Sequence, residues 1–599
     1  MTHRHYHEMP FGAAVLDDGA GVHFRLYAPG NRTAKVLYDA GRGERGAAMA
    51  QSGDGWFETT CADARAGTYY RFAVADSLVP DPASRYQPGG VHAPSLIVDP
   101  RSFAWPDDGW SGRPWGEHVF YELHVGTFTP EGTFAAAVTK LDALAALGVT
   151  AIELMPVSDA PGLRNWGYDG VLPFAPSHNY GTPDELKALI AAAHQRGLAA
   201  YLDVVYNHFG PEGNYLHAYA KTFYTDRFHT PWGSAIDVAG ERGDVRAFFI
   251  ENALYWLEEY RFDGLRLDAV QEIYDGPQRS FLRELARTVG ERATHPVHLI
   301  VENDKNEATL LVAGFRAQWN DDAHHAAHAA ITGQRDGYYA DYASAPALLA
   351  RALTSGFAYQ GEPSVFRGGE PRGEPSTGLE LGSFVTFLQN HDQVGNRPLG
   401  ERITTLAPPE AVRAAVAILL LAPSPPMLFM GEEWAASTPF LFFCDFEPEL
   451  ARAVTEGRRN EFRSFEGFSD PVARERIPDP AALETFEASK LRWDERARAP
   501  HSAWLEYYTH LLGVRRDEIA PRAAGVRGTD AGFELVGTSG IRARWRMSDG
   551  SDLMLEANLV ATPLGGFDRS PAGRVIFSTH PSEFAAETAP AWGVRWTIA

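Results

Sequence analysis

Two charged side chains lie inside an apolar run, Arg266 and Asp268 in FDGLRLDAV. A buried strand normally excludes charges, because each one loses its hydration there. Side chains alternate along a strand with a period of two, so Arg266 and Asp268 point to the same side. The pattern predicts a strand that carries both groups into a pocket, where they can act on a bound molecule.

Three further apolar runs also end in polar residues. A single aspartate after a strand is usually a turn or a helix cap. Repetition of the pattern on four runs predicts instead that the polar side chains meet at one site. In LAAYLDVVYNH, VHLIVEND and SFVTFLQNHD these side chains are Asp203, His208, Glu302, His391 and Asp392.

Carboxylates that converge in one pocket are suited to glycoside hydrolysis. One stays ionised and attacks the anomeric carbon, while another stays protonated and donates to the leaving oxygen. Their mutual repulsion requires nearby cations. The candidate carboxylates are Asp268, Glu302 and Asp392, and the candidate cations are Arg266, His208 and His391.

The elements that must position these residues alternate between strand-like and helix-like runs from about residue 118. Alternation of this kind predicts parallel β/α units with both sheet faces covered. Eight strand-like runs favour a (β/α)8 TIM barrel over an open doubly wound sheet, because each run ends in polar residues, as a barrel rim requires. Thr182 and Glu185 predict a capping box at the start of one helix.

Short alternating runs flank this region. GVHFRLYAP and GTYYRFAV predict an N-terminal immunoglobulin-like β-sandwich, and IRARWRMS and LMLEANLV predict a C-terminal antiparallel β-domain. The predicted domains are residues 1–105, 106–518 and 519–599.

The formal charge of −23 argues against partners such as nucleic acid or an anionic membrane, which require a basic surface. The first residues show no apolar segment of a secretory signal, and the apolar segment 411–430 is broken by Arg413 and three prolines. A cytoplasmic protein is expected. Cys61 and Cys444 are interpreted as small buried hydrophobic residues.

A metal site is considered at His324, His325 and His328, whose spacing could hold an ion on one helix face. An exposed or inter-domain helix is favoured over a metal site there. The sequence also shows no convincing acidic loop for calcium, so no metal is expected.

The four polar clusters resemble, in order and spacing, the four signature regions of the α-amylase family (glycoside hydrolase family 13). The resemblance implies that Asp268 is the nucleophile, Glu302 the acid/base and Asp392 the stabiliser of the transition state, in a retaining reaction without metal or organic cofactor. It also implies that Arg266 keeps Asp268 ionised. The other implied substrate contacts are His208, His391, Tyr168, Asp203, Trp232, Asp169 and Gln393, whereas Trp166 is favoured as packing.

Longer segments, among them NWGYDGVLPFAPSHNYG and TPWGSAIDV, resemble the members of this family that release trehalose. They imply cleavage of the α-1,4 bond next to the terminal trehalose of maltooligosyltrehalose, in functional coupling with a maltooligosyltrehalose synthase. Branching or debranching activity is the alternative, although Asn303 and Asp304 differ from the residues that usually follow the acid/base in branching enzymes. A non-catalytic carbohydrate-binding barrel is disfavoured, because all three carboxylates are present. The N-terminal domain resembles starch-binding domains.

Overall fold

The computed structural model describes all residues except 1–4, 42, 107–108, 241–242, 277–278, 465–466, 568–572, 582–583 and 585–586. Among the described residues, no helix combines the length and the apolar character that a membrane crossing requires.

The N-terminal strands pair in the order β1-β2-β5-β4-β3-β6-β7, with β8 beside β6. Phe24 on β2 and Tyr70 on β6 are not sheet neighbours, but their rings lie 5.2 Å apart. The two halves of the sheet therefore pack face to face as a β-sandwich. The bounds are β1 Gly12–Val15, β2 Val22–Tyr27, β3 Ala34–Asp39, β4 Arg45–Gln51, β5 Trp56–Cys61, β6 Tyr69–Val74, β7 Ser77–Val79 and β8 Ser95–Leu96.

Eight of the described strands that follow, β9, β10, β13, β16, β17, β18, β21 and β22, close into a barrel of parallel neighbours. The predicted TIM barrel is confirmed, and the doubly wound alternative is wrong. The bounds in this region are β9 Phe120–Leu123, β10 Ala151–Leu154, β11 Ser158–Asp159, β12 Leu172–Pro176, β13 Ala199–Val204, β14 Tyr224–Thr230, β15 Gly233–Ile236, β16 Gly264–Leu267, β17 His298–Val301, β18 Ala317–Trp319, β19 Glu362–Pro363, β20 Pro371–Arg372, β21 Phe384–Phe387 and β22 Pro426–Phe429.

Apolar side chains from several barrel strands fill the barrel interior, among them Phe120, Tyr201, Trp319 and Phe387. Gly264 leaves space for the ring of Tyr201 and for the carbonyl of His298. A Cβ on Gly264 would lie 2.4 Å from a ring carbon of Tyr201. Only glycine fits at the foot of β16, and Arg266 lies two residues further along the same strand.

Helices surround the barrel, and α4 shows the predicted capping box. The hydroxyl of Thr182 accepts from the backbone N–H of Glu185, and the Glu185 carboxylate accepts from the backbone N–H of Thr182. The α-helices described are α1 Val125–Phe128, α2 Phe134–Val138, α3 Leu141–Leu147, α4 Pro183–His194, α5 Leu216–Tyr219, α6 Asp244–Glu259, α7 Ser280–Arg292, α8 Ala308–Leu311, α9 Asp321–Thr332, α10 Ala345–Ser355, α11 His391–Gly395, α12 Ile403–Leu406, α13 Pro409–Leu421, α14 Pro448–Glu461, α15 Pro471–Arg474, α16 Leu483–Ala488, α17 His501–Val514 and α18 Ala520–Ala523.

The C-terminal strands form an antiparallel sheet in the order β23-β24-β25-β29-β27, with β26 paired to β28. Two buried tryptophans attach this sheet to the barrel helices. Trp596 donates from Nε1 to the carbonyl of Ala417 in α13, and Trp545 donates to the carbonyl of Leu353 in α10. The bounds are β23 Ala531–Val536, β24 Gly540–Arg546, β25 Asp552–Asn558, β26 Leu564–Gly565, β27 Arg574–Ser578, β28 Thr588–Ala589 and β29 Val594–Ile598.

Candidate active site

The three predicted carboxylates lie at the carboxyl ends of barrel strands. Asp268 follows β16, Glu302 follows β17, and Asp392 lies in the first turn of α11, after β21. The carboxyl ends of barrel strands meet at one face, where TIM-barrel enzymes have their active sites. The barrel therefore brings residues distant in sequence to one place.

Arg266 links two of these carboxylates directly. It is fully buried, and its Nη1 donates to Asp268 at 2.8 Å and to Asp203 at 2.6 Å, while its Nη2 donates to Glu302 at 2.6 Å. The guanidinium also lies 4.0 Å above the centre of the Trp319 ring. The two charges that interrupt the strand sequence therefore belong to one ion network inside the barrel.

His391 is the second buried cation of the site. Its imidazole contacts Glu122 through Nδ1 at 2.5 Å and Asp392 through Nε2 at 3.4 Å. Burial alone would lower the pKa of His391, but Glu122 and Asp392 raise it well above its usual value. The ring is therefore protonated and donates from both nitrogens.

The carboxyl groups differ in their electrostatics. Burial raises the pKa of Glu302 well above its usual value, and Asp268 and Asp392 add to this effect against the opposing charge of Arg266. Burial would also raise the pKa of Asp392, but His391 outweighs it and holds that pKa below its usual value. Glu302 is thus the group best suited to carry a proton, as a general acid must.

Tyr168 and Asp203 brace the same network. The Tyr168 hydroxyl donates to Asp203 at 2.6 Å, and the Tyr168 ring stacks on His391 with centroids 5.1 Å apart. Burial raises the pKa of Asp203 to about 6. Trp166 is buried and donates to the carbonyl of Leu441 at 2.8 Å, which supports its interpretation as packing.

His208 and Trp232 form a stacked pair at the mouth of the site. Their rings are nearly parallel, with centroids 4.1 Å apart, and Trp232 is 52% exposed. His208 donates from Nε2 to the carbonyl of Tyr168, and burial lowers the pKa of His208. Nδ1 of His208 faces a second acceptor, Oδ1 of Asn207, so burial opposes the positive charge that the sequence suggested while both ring contacts favour it. Asn207 donates to Asp268 at 2.8 Å.

A cavity of ≈ 630 Å³ opens beside Glu302 and Asp392. Gln393 lines it and accepts from the Tyr338 hydroxyl at 3.4 Å. Asp169 stands apart from this cavity: in the part of the chain that the structure describes, no side-chain hydrogen bond links it to the other predicted site residues, and burial raises its pKa to about 7. Further residues of the cavity wall are Asp321, Phe366, Arg367, Phe462 and Phe468.

The histidines of α9 do not lie on an exposed helix. His324, His325 and His328 are all buried, and the His328 ring stacks on Tyr339 with centroids 4.4 Å apart. The expectation of an exposed or inter-domain helix is wrong, because aromatic residues that follow α9 cover this face. Outside the undescribed gaps, no group of three or more His, Cys, Asp or Glu side chains is arranged to hold a metal ion.

The sequence interpretation missed two inward-facing carboxyl groups, Glu122 on β9 and Glu153 on β10. Both interrupt apolar strands, in VFYELHV and TAIELMPV. This is the same signal that identified Arg266 and Asp268, so it could have found them. The residues of the cavity wall carry no such signal, because they lie on loops and helix ends and do not interrupt an apolar strand.

Comparison with known proteins adds an independent result. The model of the α-amylase catalytic domain matches residues 97–231, and a domain of unknown function, DUF3459, matches residues 528–596. A crystal structure titled as a putative α-amylase from Salmonella typhimurium superposes with a TM-score of 0.92 at 44% identity, covering 98% of this chain and 99% of that one.

Two curated relatives are both named malto-oligosyltrehalose trehalohydrolase. The protein from Deinococcus radiodurans is 44% identical over 85% of this chain and 83% of its own length. The protein from Rhizobium sp. strain M-11 is 41% identical over 90% of this chain and 91% of its own length. The predicted resemblance is confirmed, and the chain belongs to the malto-oligosyltrehalose trehalohydrolases, which are glycoside hydrolases of the α-amylase family.

Proposed function

We propose that this chain releases trehalose from maltooligosyltrehalose by hydrolysing the α-1,4-glucosidic bond next to the terminal trehalose, with retention of configuration. One observation carries the mechanism: Asp268 and Glu302 accept from the two terminal nitrogens of the same guanidinium, that of Arg266. Retaining enzymes require two carboxyl groups about 5–5.5 Å apart. Two groups that share one guanidinium fit so short a separation.

In the first step, Asp268 attacks the anomeric carbon and Glu302 gives its proton to the glycosidic oxygen, so that trehalose leaves. A covalent glucosyl ester on Asp268 remains. In the second step, Glu302 takes a proton from water, which attacks the same carbon and restores the free Asp268 carboxylate. Asp392 accepts hydrogen bonds from hydroxyls of the same sugar, and its negative charge stabilises the positively charged transition state. The chemistry requires no metal or organic cofactor.

The cavity beside Glu302 is the proposed site of the departing trehalose. The acid must face the leaving group, and Glu302 and Asp392 line this cavity. The walls combine aromatic rings, which pack against apolar sugar faces, with polar groups for hydroxyls. The polar groups include Gln393 and Arg367, and the rings include Tyr338 and Phe366.

The remaining residues are proposed to bind the glucose unit whose bond is cleaved. Tyr168 presents a ring to that sugar, and His391 and His208 lie beside it as further contacts. Arg266 and Asp203 orient Asp268. Trp232 covers the mouth next to His208, and Asp169 borders the site beside Tyr168.

The test is an analysis of products from maltotetraosyl trehalose, maltohexaose and amylose, with Asp268→Asn as the inactive control. Free trehalose and maltotetraose, with little attack on the plain chains, are expected. New α-1,6 branches from amylose, or redistributed chain lengths without trehalose, would indicate a branching or transfer activity instead. The coupling to a synthase and the cytoplasmic location stay predictions.

A further inference from the structure

Glu153 is a buried titratable group of the barrel that the proposed mechanism does not use. It lies on β10, is 1% exposed, and neither of its carboxyl oxygens has a hydrogen-bond partner among the described residues. Buried polar atoms are nearly always hydrogen-bonded, so two unsatisfied oxygens on one side chain require an explanation.

The side chain points into the barrel. Ala151, two residues earlier on β10, belongs to the apolar cluster that fills the barrel interior, and the period of two places Glu153 on the same face. In the parallel ladders, Glu153 is opposite Glu122 on β9 and Tyr201 on β13. Neighbouring strands lie about 4.8 Å apart, so Glu153 adjoins both side chains directly.

Other unsatisfied polar atoms lie on the same inner surface. Oδ1 of Asp203, Nε of Arg266 and Nε1 of Trp319 are buried without a partner among the described residues. These atoms belong to β13, β16 and β18, and Asp203 is opposite Arg266 in the ladder. Together with Glu153 these residues face the barrel interior next to the active-site network, and we call the set of Glu153, Asp203, Arg266 and Trp319 the barrel floor.

We propose that Glu153 is an uncharged, protonated positioning residue, which hydrogen-bonds to Asp203 and Arg266 through internal water in the barrel floor. A neutral carboxyl group is both a donor and an acceptor, whereas a carboxylate only accepts. The neutral form can therefore donate towards Asp203 and accept from Arg266 and Trp319. An ionised form would add a negative charge beside Glu122 and Asp203, while both nearby cations are already bound to other carboxylates.

The surrounding charges support the neutral form. The titratable and charged groups that face Glu153 are the carboxylates Glu122 and Asp203, the cations Arg266 and His391, and the phenol of Tyr201. Both cations are already bound to other carboxylates. Burial raises the pKa of Glu153 well above its usual value, and Glu122 and Asp203 raise it further.

The position of Glu153 influences the reacting carboxyl groups through Asp203 and Arg266. Asp203 binds Arg266 and Tyr168 with one oxygen, Oδ2. A contact to its other oxygen, Oδ1, would therefore fix the rotation of the carboxylate plane. Arg266 in turn holds Asp268 and Glu302. Loss of the contact from Glu153 would misplace these groups without removing any of them.

The test compares Glu153→Gln, which keeps a donor and an acceptor but cannot ionise, with Glu153→Leu, which keeps the volume alone. Met427→Leu, a volume-conserving change inside the same barrel, is the control. We expect E153Q to retain kcat within about threefold and E153L to lose at least about tenfold, with KM changed less than about twofold, because small misplacements of reacting groups are costly.

Two readouts separate positioning from folding and require no substrate. The Tm of E153Q should match that of the wild type, because the amide keeps a donor and an acceptor for the same water-mediated contacts. The infrared difference spectrum of wild type minus E153Q at neutral pH should contain the C=O stretching band of a protonated carboxyl group. E153Q as slow as E153L, a wild-type kcat in E153L, a Tm of E153Q clearly below that of the wild type, or no such band would each overturn the inference.

The inference rests on the proposed function only for its kinetic readout. If the wild type releases no trehalose, the proposed function fails. The same variants are then compared on maltohexaose, and the infrared band and the Tm still decide whether Glu153 is a neutral positioning residue.

Discussion

Glu122 accepts two hydrogen bonds from His391, one from its backbone N–H at 2.8 Å and one from its Nδ1 at 2.5 Å. The two residues are 269 positions apart in the chain. Glu122 lies one residue before the end of the first barrel strand and His391 begins the helix after the seventh, so closure of the barrel brings them together. Glu122 thereby determines the protonation and the orientation of the histidine that contacts Asp392.

Replacement of Glu122 by Gln should deprotonate His391 at neutral pH. We expect kcat/KM to fall about tenfold or more, because a hydrogen bond to a charged group contributes about 1.5–3 kcal/mol. The measurement is an NMR titration of His391 together with steady-state kinetics. Glu117→Gln, an exposed glutamate near the start of the same strand, is the control.

The pair of Glu122 and His391 should also make the free energy of unfolding depend on pH. The folded pKa of His391 lies above its ordinary value of 6.5, so its proton stabilises the fold fully below about pH 6.5. That contribution is lost as the pH rises through the folded pKa. It should be missing from Glu122→Gln, and an identical pH dependence of unfolding in this variant and in the wild type would contradict the assignment.

Removal of the buried guanidinium should destabilise the protein. Arg266→Met leaves Asp203, Asp268 and Glu302 without their shared cation, and loss of one partner from a buried ion pair costs about 3–5 kcal/mol. The free energy of unfolding in urea measures the effect. Arg287→Met, which breaks an exposed pair with Glu291, should cost no more than about 1 kcal/mol. Equal losses in the two variants would argue against the network.

The alkaline limit of activity should follow the proton of Glu302. As an acid, Glu302 acts only while protonated, so kcat/KM falls as the pH rises through its raised pKa. Asp321 lines the same cavity and contributes to raising that pKa. Asp321→Asn should therefore move the alkaline limb of the pH profile to lower pH, whereas an unchanged limb would show that Asp321 does not influence the acid.

The buried histidines of α9 should limit stability in acid. Burial lowers the pKa of His328 to about 4, so the folded state resists its protonation and stability is lost as the pH falls below 6.5. By pH 4 the loss approaches about 3 kcal/mol, since one pKa unit is about 1.4 kcal/mol. His328→Phe should resist acid better than the wild type in a pH-dependent unfolding series. His217→Phe, on an exposed position of α5, should not.

Trp232 should contribute to substrate binding more than to chemistry. Its exposed ring lies over His208 at the mouth of the site. We expect Trp232→Ala to raise KM up to about tenfold with a smaller change in kcat, because an aromatic contact contributes about 0.5–1.5 kcal/mol beyond its buried area. Leu163→Ala removes another exposed apolar side chain and should leave both constants unchanged. A fall in kcat alone would assign Trp232 to the chemistry.

The barrel and the position of its three carboxylates could be predicted from sequence because their signals are local. An apolar run that ends in polar residues identifies a strand and its rim, and the period of two assigns Arg266 and Asp268 to one face. The capping box of Thr182 and Glu185 is likewise contained in four residues. Sequence thus determined the fold class, the family and the candidate carboxylates.

Only the tertiary structure decided which partners these residues have. The charge of His391 depends on Glu122 and the lowered pKa of His208 depends on burial, and neither can be read from the segments that contain the two histidines. The burial of His328 and the cavity beside Glu302 depend on loops that fold back over α9. Closure of the barrel creates these contacts between residues far apart in the chain, and the low dielectric inside it then sets their charges.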